Sequence, residues 1–298
     1  MAQDYGELAQ DRLGVRAPEV SAASFPVAKP KRSTAPSRRL EWVERAIVRT
    51  IALGFFIALW HLATTHHIRW IVNLEFVPAP FDVLVAMSEF ARSPKTLAHI
   101  ASSIYRVFVG FSLAAITAIP LGLVVGRSRV AADVFMTPLE LLRPIPGVAW
   151  IPLAILMFPT SEQSMIFICF IGALFPILLS TIHGVKSLDA RLLHAAQSLG
   201  ATRFHVFAEV VFPGALPSIV TGLTIGMGIS WFLVVTAEMI SGRFGVGYFT
   251  WEAYTIQDYP SIVVGMLTIG VLGMLSSTLV RAIGNLLMPW HRYLVGRS

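Results

Sequence analysis

The chain has 298 residues, of which 55% are hydrophobic and only 13% charged, and its mean hydropathy is +0.69. A soluble domain carries roughly 25% charged residues, so half that share excludes a water-soluble globule and requires an integral membrane protein. The formal net charge of +6 does not signal nucleic acid: the basic residues sit scattered at the ends of apolar segments, not gathered on one face.

In chain order, residues 1–44 are polar and rich in Pro, Ser, Arg and Lys. They read as a disordered cytoplasmic tail whose stretch KPKRSTAPSRR either touches anionic headgroups or is merely solvated. The apolar run begins only near Ile47, too late for a secretory signal. Residues 45–298 form the transmembrane domain. A helix needs about 20 largely apolar residues to cross the hydrocarbon, and six stretches qualify: about 46–66, 100–126, 132–158, 162–183, 218–240 and 260–287. Trp60 and Trp70 are candidate interfacial anchors of the first. The third is interrupted by RPIPGVAW, where Pro144 and Pro146 remove helical hydrogen bonds, so five spans remain possible. Before the second span, PAPFDVLVAMSEFAR begins with Pro80 and carries Phe81, Leu84, Val85 and Phe90 at helical spacing. It is too short to cross and predicts an interfacial helix on the outer surface. Gly122 and Gly126, and Gly222 and Gly226 followed by Gly228, give GxxxG spacing that serves either packing within the bundle or a subunit interface. The fold class is all-α and integral to the membrane, with six transmembrane helices, five possible.

Lys and Arg orient the spans. With the N-terminus inside, the interior segments are the tail, GRSRV, the Lys186–Arg203 region and the C-terminal MPWHRYLVGRS. The exterior ones hold only Arg69, Arg92, Lys95 and Arg243. This asymmetry predicts that both termini are cytoplasmic.

Between the fourth and fifth spans, about 186–217, lies HAAQSLGATRFHVFAEVVFPGALPSI, starting at His194. Leu188, Leu192, Ala195 and Leu199 follow one helix face. Gly200 ends that helix, and Thr202 caps a second whose stripe is Phe204, Phe207 and Val211. Pro213 is expected to close the second helix, and Pro217 to precede the next span. Such an elbow either caps its own bundle or docks into a cytoplasmic partner.

This stretch resembles the EAA loop of binding-protein-dependent ABC transporter permeases, whose pattern is Glu-Ala-Ala, three residues, Gly, nine residues, Ile, one residue, Leu-Pro. Ala195, Ala196, Gly200, Val210 and Pro213 fall in register; His194 stands where the family often has Glu, and Phe212 where it often has Leu. RPIPGVAWIPLAILMF, AAQSLGA (through Ala201), FPGALPSIVTGLTIGMGISW and AEMISGRFGVGY are similar to the branch that imports nitrate, bicarbonate, taurine and alkanesulfonates, and most like its taurine and sulfonate permeases. The resemblance implies a type I ABC importer permease of the bacterial inner membrane. Its expected partners are a second permease subunit, usually identical, two cytoplasmic ATPase subunits, and a periplasmic or lipid-anchored solute-binding protein. ATP and Mg would sit on the ATPase, with no cofactor and no enzymatic activity on this chain. The residues agree with that division: the sequence has no G-x-x-x-x-G-K-[ST] loop and no Gly-Lys pair.

Candidates for a translocation path are fewer. A charge at membrane depth is costly and is a functional candidate by default. Arg143 opens RPIPGVAW and could coordinate a sulfonate or nitrate, or else pair with a carboxylate or snorkel. Ser230, Trp231 and Thr236 are further path candidates, with helix packing as the alternative. Glu238 would repel an anion and is expected in a hydrogen bond or ion pair, Arg106 as an interfacial anchor. Tyr248, Trp251 and Tyr254 are placed in an exterior loop, as an aromatic belt or a contact for the binding protein. His66 and His67 lack a third ligand at a sensible spacing, and Cys169 stands alone, so no metal or disulfide is expected. Two other classes compete with the ATP-driven importer: a secondary transporter driven by an ion gradient, and a membrane scaffold or sensor.

Overall fold

The computed structural model describes residues 38–65, 76–241 and 244–290. The chain divides into two units at Gly54. Of the first, the described part is the start of helix α1 (Arg38–Thr65), which already begins inside the segment expected as tail. The apolar side chains of α1 from Ile47 to Leu62 are largely exposed, as suits a span bathed in lipid. Trp70, His66, His67, Arg69, Arg243 and the end of the C-terminal segment lie outside the described residues.

The second unit contains α2 (Pro80–Arg92), α3 (Thr96–Arg127), α4 (Arg129–Leu142), α5 (Trp150–Met157), α6 (Ser161–Lys186), α7 (Ala190–Ser198), α8 (Arg203–His205), α9 (Phe212–Ser241), α10 (Val246–Thr255) and α11 (Tyr259–Leu287). Together with α1, four of these helices (α3, α6, α11 and the continuous run Arg203–Ser241 that includes α9) are long and apolar enough to cross a membrane; α4 and α5 form a pair bent by 82°.

Glycine contacts settle how the chain travels. A Cβ at Gly110 would overlap Cys169, one at Gly122 would overlap Thr181, and one at Gly126 would overlap Val185. The numbers rise together, so α3 and α6 run parallel. The chain must therefore return between Ser128 and Thr160. From Arg106, level with Glu162, to Arg127 the helix rises about 31 Å at about 1.5 Å per residue, the thickness of the hydrocarbon. The bent pair α4–α5 is thus a sixth crossing, and it bends where Pro144 and Pro146 deny it helical hydrogen bonds.

Helix α6 lies between α3 and α9. Gly222 approaches Ser180 and the Pro176 carbonyl, and Gly226 approaches Ala173 and Ile177; the falling numbers make α6 and α9 antiparallel. Both GxxxG pairs therefore serve packing inside one chain, while Gly228 faces open space. Val107, Ala114, Ala118, Ala173, Ile177, Met227 and Val234 fill the core between these three helices. Helix α2 buries Val83 and Ala86 together with Val264 of α11 and turns Phe81, Leu84 and Val85 outward, the two-faced habit of an interfacial helix.

Candidate functional site

The elbow is built by two capping devices. Ala201 N–H donates to the Ala196 carbonyl at 3.1 Å and Gly200 N–H to that of Gln197 at 2.9 Å. This pair of bonds ends α7 in a Schellman motif, with Gly200 in the left-handed region at φ 83°, where a side chain would be strained. Thr202 then caps α8, its hydroxyl oxygen accepting from His205 N–H at 3.3 Å. Asp189 caps α7 in the same way, accepting from Arg191 N–H at 2.8 Å.

The second helix does not stop at Pro213. It widens into a π-type turn over Val206–Val211, where Phe212 N–H reaches back five residues to the Phe207 carbonyl, and then runs on as α9. The widened register accommodates a proline ring that would otherwise clash with the carbonyl four residues back. The second helix of the elbow is therefore continuous with a membrane helix.

Each helix of the elbow covers one face and leaves another open. Leu188, Leu193, Ala196, Ala201, Val206 and Val211 pack into a cluster with Ala215 and Ile219. Leu192, Ala195 and His194 face outward, Leu199 is 89% exposed and Phe204 is 74% exposed. Val210 and Pro213 are half-buried. Of the stripe read from the sequence, Leu188 and Val211 are covered, while Leu192, Ala195, Leu199 and Phe204 are left open. Leu199 and Phe204, the most exposed apolar residues of the elbow, stand on either side of Gly200.

At the opposite end of α3, α6 and α9 lies an ionic cluster. Arg106, 1% exposed, donates from Nε to Glu162 Oε2 at 2.8 Å and from Nη2 to Glu162 Oε1, a bidentate pair. Its Nη1 donates to Glu238 Oε1 at 2.8 Å and to the Phe244 carbonyl. Glu238, fully buried, also accepts from Ser103 Oγ at 2.8 Å and from Gly247 N–H at 2.9 Å. Val246 N–H donates to Ser103 Oγ, and Gly245 N–H donates to His99 Nδ1 at 3.1 Å. Gly245 has φ 151°, and a Cβ there would fall 2.2 Å from the Glu238 carboxyl carbon. The expectation for Glu238 holds; that for Arg106 does not. Arg106 is a buried structural hub, because its partners stand 56 and 132 residues away, where no local reading finds them.

The path candidates are dispersed. Ser230 donates to the Cys169 carbonyl at 2.9 Å and is fully buried. Trp231 is buried against Gly273, its Nε1 without a partner among the described residues. Both side chains make contacts between helices. Arg143 caps α4 and is exposed. Thr236 is half-buried, its hydroxyl on the Phe232 carbonyl at 3.1 Å. Tyr248, Trp251 and Tyr254 belong to helix α10 and not to a loop; Trp251 and Tyr254 pack at 5.2 Å between ring centroids and remain exposed. No cluster of three metal-ligating side chains occurs among the described residues.

Residues 118–293 match the family described as binding-protein-dependent transport system inner membrane component. The chain belongs to this family. Its relatives include a putative ABC transporter permease of Methanocaldococcus jannaschii, 44% identical over 64% of this chain and 72% of that one. The nitrate import permease NrtB of Leptolyngbya laminosa is 31% identical over 83% and 89%, and the taurine transport system permease TauC of Escherichia coli K12 is 31% identical over 86% and 95%. Among solved structures, the inward-facing MetNI methionine ABC transporter aligns with a TM-score of 0.51 at 22% identity, over 65% of this chain and 94% of that one, and shares its fold. The protein is thus an ABC importer permease, a multi-pass membrane protein of a transport family. Relatives named for nitrate and for taurine stand at equal identity, so family membership does not fix the substrate.

Proposed function

We propose that this chain is the translocation subunit of an ATP-driven importer for a small anion, taurine or an alkanesulfonate first and nitrate or bicarbonate next. Two copies pair over two cytoplasmic ATPase subunits that carry ATP and Mg, and a solute-binding protein delivers the anion from outside. The permease itself has no enzymatic activity.

One observation carries the reading: Leu199 and Phe204 stand uncovered on either side of a Gly200 knuckle whose backbone is locked by two capping motifs. Apolar anchors on a short helix suit a groove on a partner. Because α8 continues through the π-type turn into α9, a displacement of the elbow is passed to a membrane helix without a flexible joint. The elbow end also carries Arg127, Arg129, Lys186, Arg191 and Arg203, which supports a cytoplasmic position for it and for both termini in the inner membrane. ATP binding closes the ATPases on one another, the elbows follow, and the helices rock between inward-open and outward-open states. The path reading covers Arg143, Ser230, Trp231 and Thr236; the last shares an outward strip of α9 with Thr221, Ile225, Ile229 and Phe232.

The test is uptake of labelled taurine and nitrate by vesicles holding the permease, its ATPase and its binding protein. Uptake should require ATP, and Gly200→Val should leave insertion intact while hydrolysis proceeds without uptake. Uptake driven by an ion gradient without ATPase would overturn the reading, and normal uptake by Gly200→Val would remove the elbow from it.

A further inference from the structure

Helices α9 and α11 meet along a seam where Gly284 lies against Val220 and Gly273 against Trp231. The two flanks of this seam differ in chemistry. On one, a cavity of about 300 Å³ is lined by Phe111, Leu216, Leu223, Val280, Ile283 and Leu287, and no polar side chain enters it. On the other, a cavity of about 390 Å³ is lined by Thr221, Thr224, Ile225, Arg281, Asn285 and Met288. We infer that this second groove lines the cytoplasmic half of the translocation path and holds the transported anion there, with the Arg281 guanidinium and the Asn285 amide as donors. The inference rests on the anion-importer reading above and adds the site and the charge class of its ligand.

The argument is one of unspent donors at membrane depth. Arg281 lies six residues before the end of α11, about 9 Å inside it, and Thr221 lies nine residues into α9. Arg281 and Asn285 are one turn apart and project from the same face. Among the described residues neither has a hydrogen bond or ion pair, in contrast to Arg106, every donor group of which is engaged. The hydroxyls of Thr221 and Thr224 rest on the Pro217 and Val220 carbonyls at 2.9 and 2.8 Å and can turn toward a guest. An arginine that only snorkels to headgroups needs no amide and no hydroxyls around it. A charge at this depth is tolerated where it faces a water-filled path. One guanidinium, the only cation among the described lining residues, suits a singly charged oxyanion, whose two oxygens its planar fork grips. A single weak site of this kind also lets the ion leave.

Thiol labelling of the full complex in phosphatidylcholine vesicles tests the groove without requiring transport. The wild-type chain is the blank, because its one cysteine, Cys169, is buried. Thr221→Cys and Thr224→Cys should react with impermeant methanethiosulfonates, and Leu216→Cys and Ile283→Cys on the apolar flank should not. At Thr224→Cys the sulfonate-bearing reagent should gain on the trimethylammonium-bearing one by about tenfold relative to a free thiol. Adding Arg281→Gln should abolish that preference and Arg281→Lys should keep it; millimolar nitrate or methanesulfonate should slow the labelling. Equal labelling of the two flanks, or a preference indifferent to Arg281→Gln, overturns the inference. So does protection by phosphatidylglycerol in the vesicle but not by free anion, which would make Arg281 a headgroup contact. ATP-driven uptake is measured in the same vesicles: if it persists while the labelling pattern fails, the groove alone is wrong, whereas uptake without the ATPase sinks the importer reading itself.

Discussion

Replacing Glu238 by alanine should be among the most destabilising single changes in the chain, for reasons that can be counted. The carboxylate is fully buried and accepts three hydrogen bonds, from Ser103, Arg106 and Gly247, at 2.8 to 2.9 Å. Removing it strands one Arg106 donor and the Gly247 N–H and leaves a cavity. Breaking a buried ion pair from one side costs about 3–5 kcal/mol. In a domain of this size, each kcal/mol moves the unfolding midpoint by about 2–4 °C, so Glu238→Ala should unfold roughly 6–20 °C below wild type in detergent. Glu238→Gln keeps the shape but loses the charge and one acceptor, and should cost about 1–3 kcal/mol. Exposed Arg143→Gln should change little, within about 0.5 kcal/mol. The assay is a thermal melt of purified protein followed by an intrinsic signal or by thiol exposure of buried Cys169. A Glu238→Ala midpoint within about 2 °C of wild type would refute the buried-hub account and return Arg106 to an interfacial anchor, which would be indifferent to Glu238.

Four further outcomes can be measured. Gly245→Ala should lower the melting midpoint, because the backbone at φ 151° disfavours a side chain and the new Cβ meets the Glu238 carboxyl; strain alone costs about 1–3 kcal/mol. Gly222→Val should destabilise by about 1–3 kcal/mol through overpacking against Ser180 and Pro176, while Gly270→Ala, with nothing within 4 Å, should be neutral or stabilise by up to about 1 kcal/mol; parallel melts decide both. Leu199→Asp combined with Phe204→Asp should leave the melt of the isolated permease unchanged but abolish co-purification with the ATPase, and a lowered melt would show that these side chains are structural.

What could be read without the structure was what depends on neighbours in sequence. Span positions follow from length and hydropathy: α3, α6 and α11 fall within a few residues of expectation, while α1 and α9 end where expected but start earlier. Gly200 and Thr202 carried local signals, a glycine after an apolar stripe and a hydroxyl before one, and both caps form. Contacts across the chain were hidden. Arg106 looked like an anchor because its carboxylates sit on two other helices. Pro213 looked like a terminator because proline usually is one, and the widened turn before it is a tertiary accommodation. Helix α10 was missed because Gly245 opens it without a polar cap, its start being held by Glu238, Ser103 and His99. The elbow showed its period but not its direction: spacing says that a helix has an apolar face, and only packing says which face is covered.

The central claim is that a partner grips the elbow at Gly200, and cysteine cross-linking measures that grip most directly. With Leu199→Cys or Phe204→Cys in the assembled complex, and single cysteines placed along the ATPase surface, disulfides should form at the elbow and their yield should change when ATP is trapped. Lipid-facing Ile116→Cys should give none. A complex that transports actively while neither elbow position cross-links to the ATPase in any nucleotide state would contradict the account.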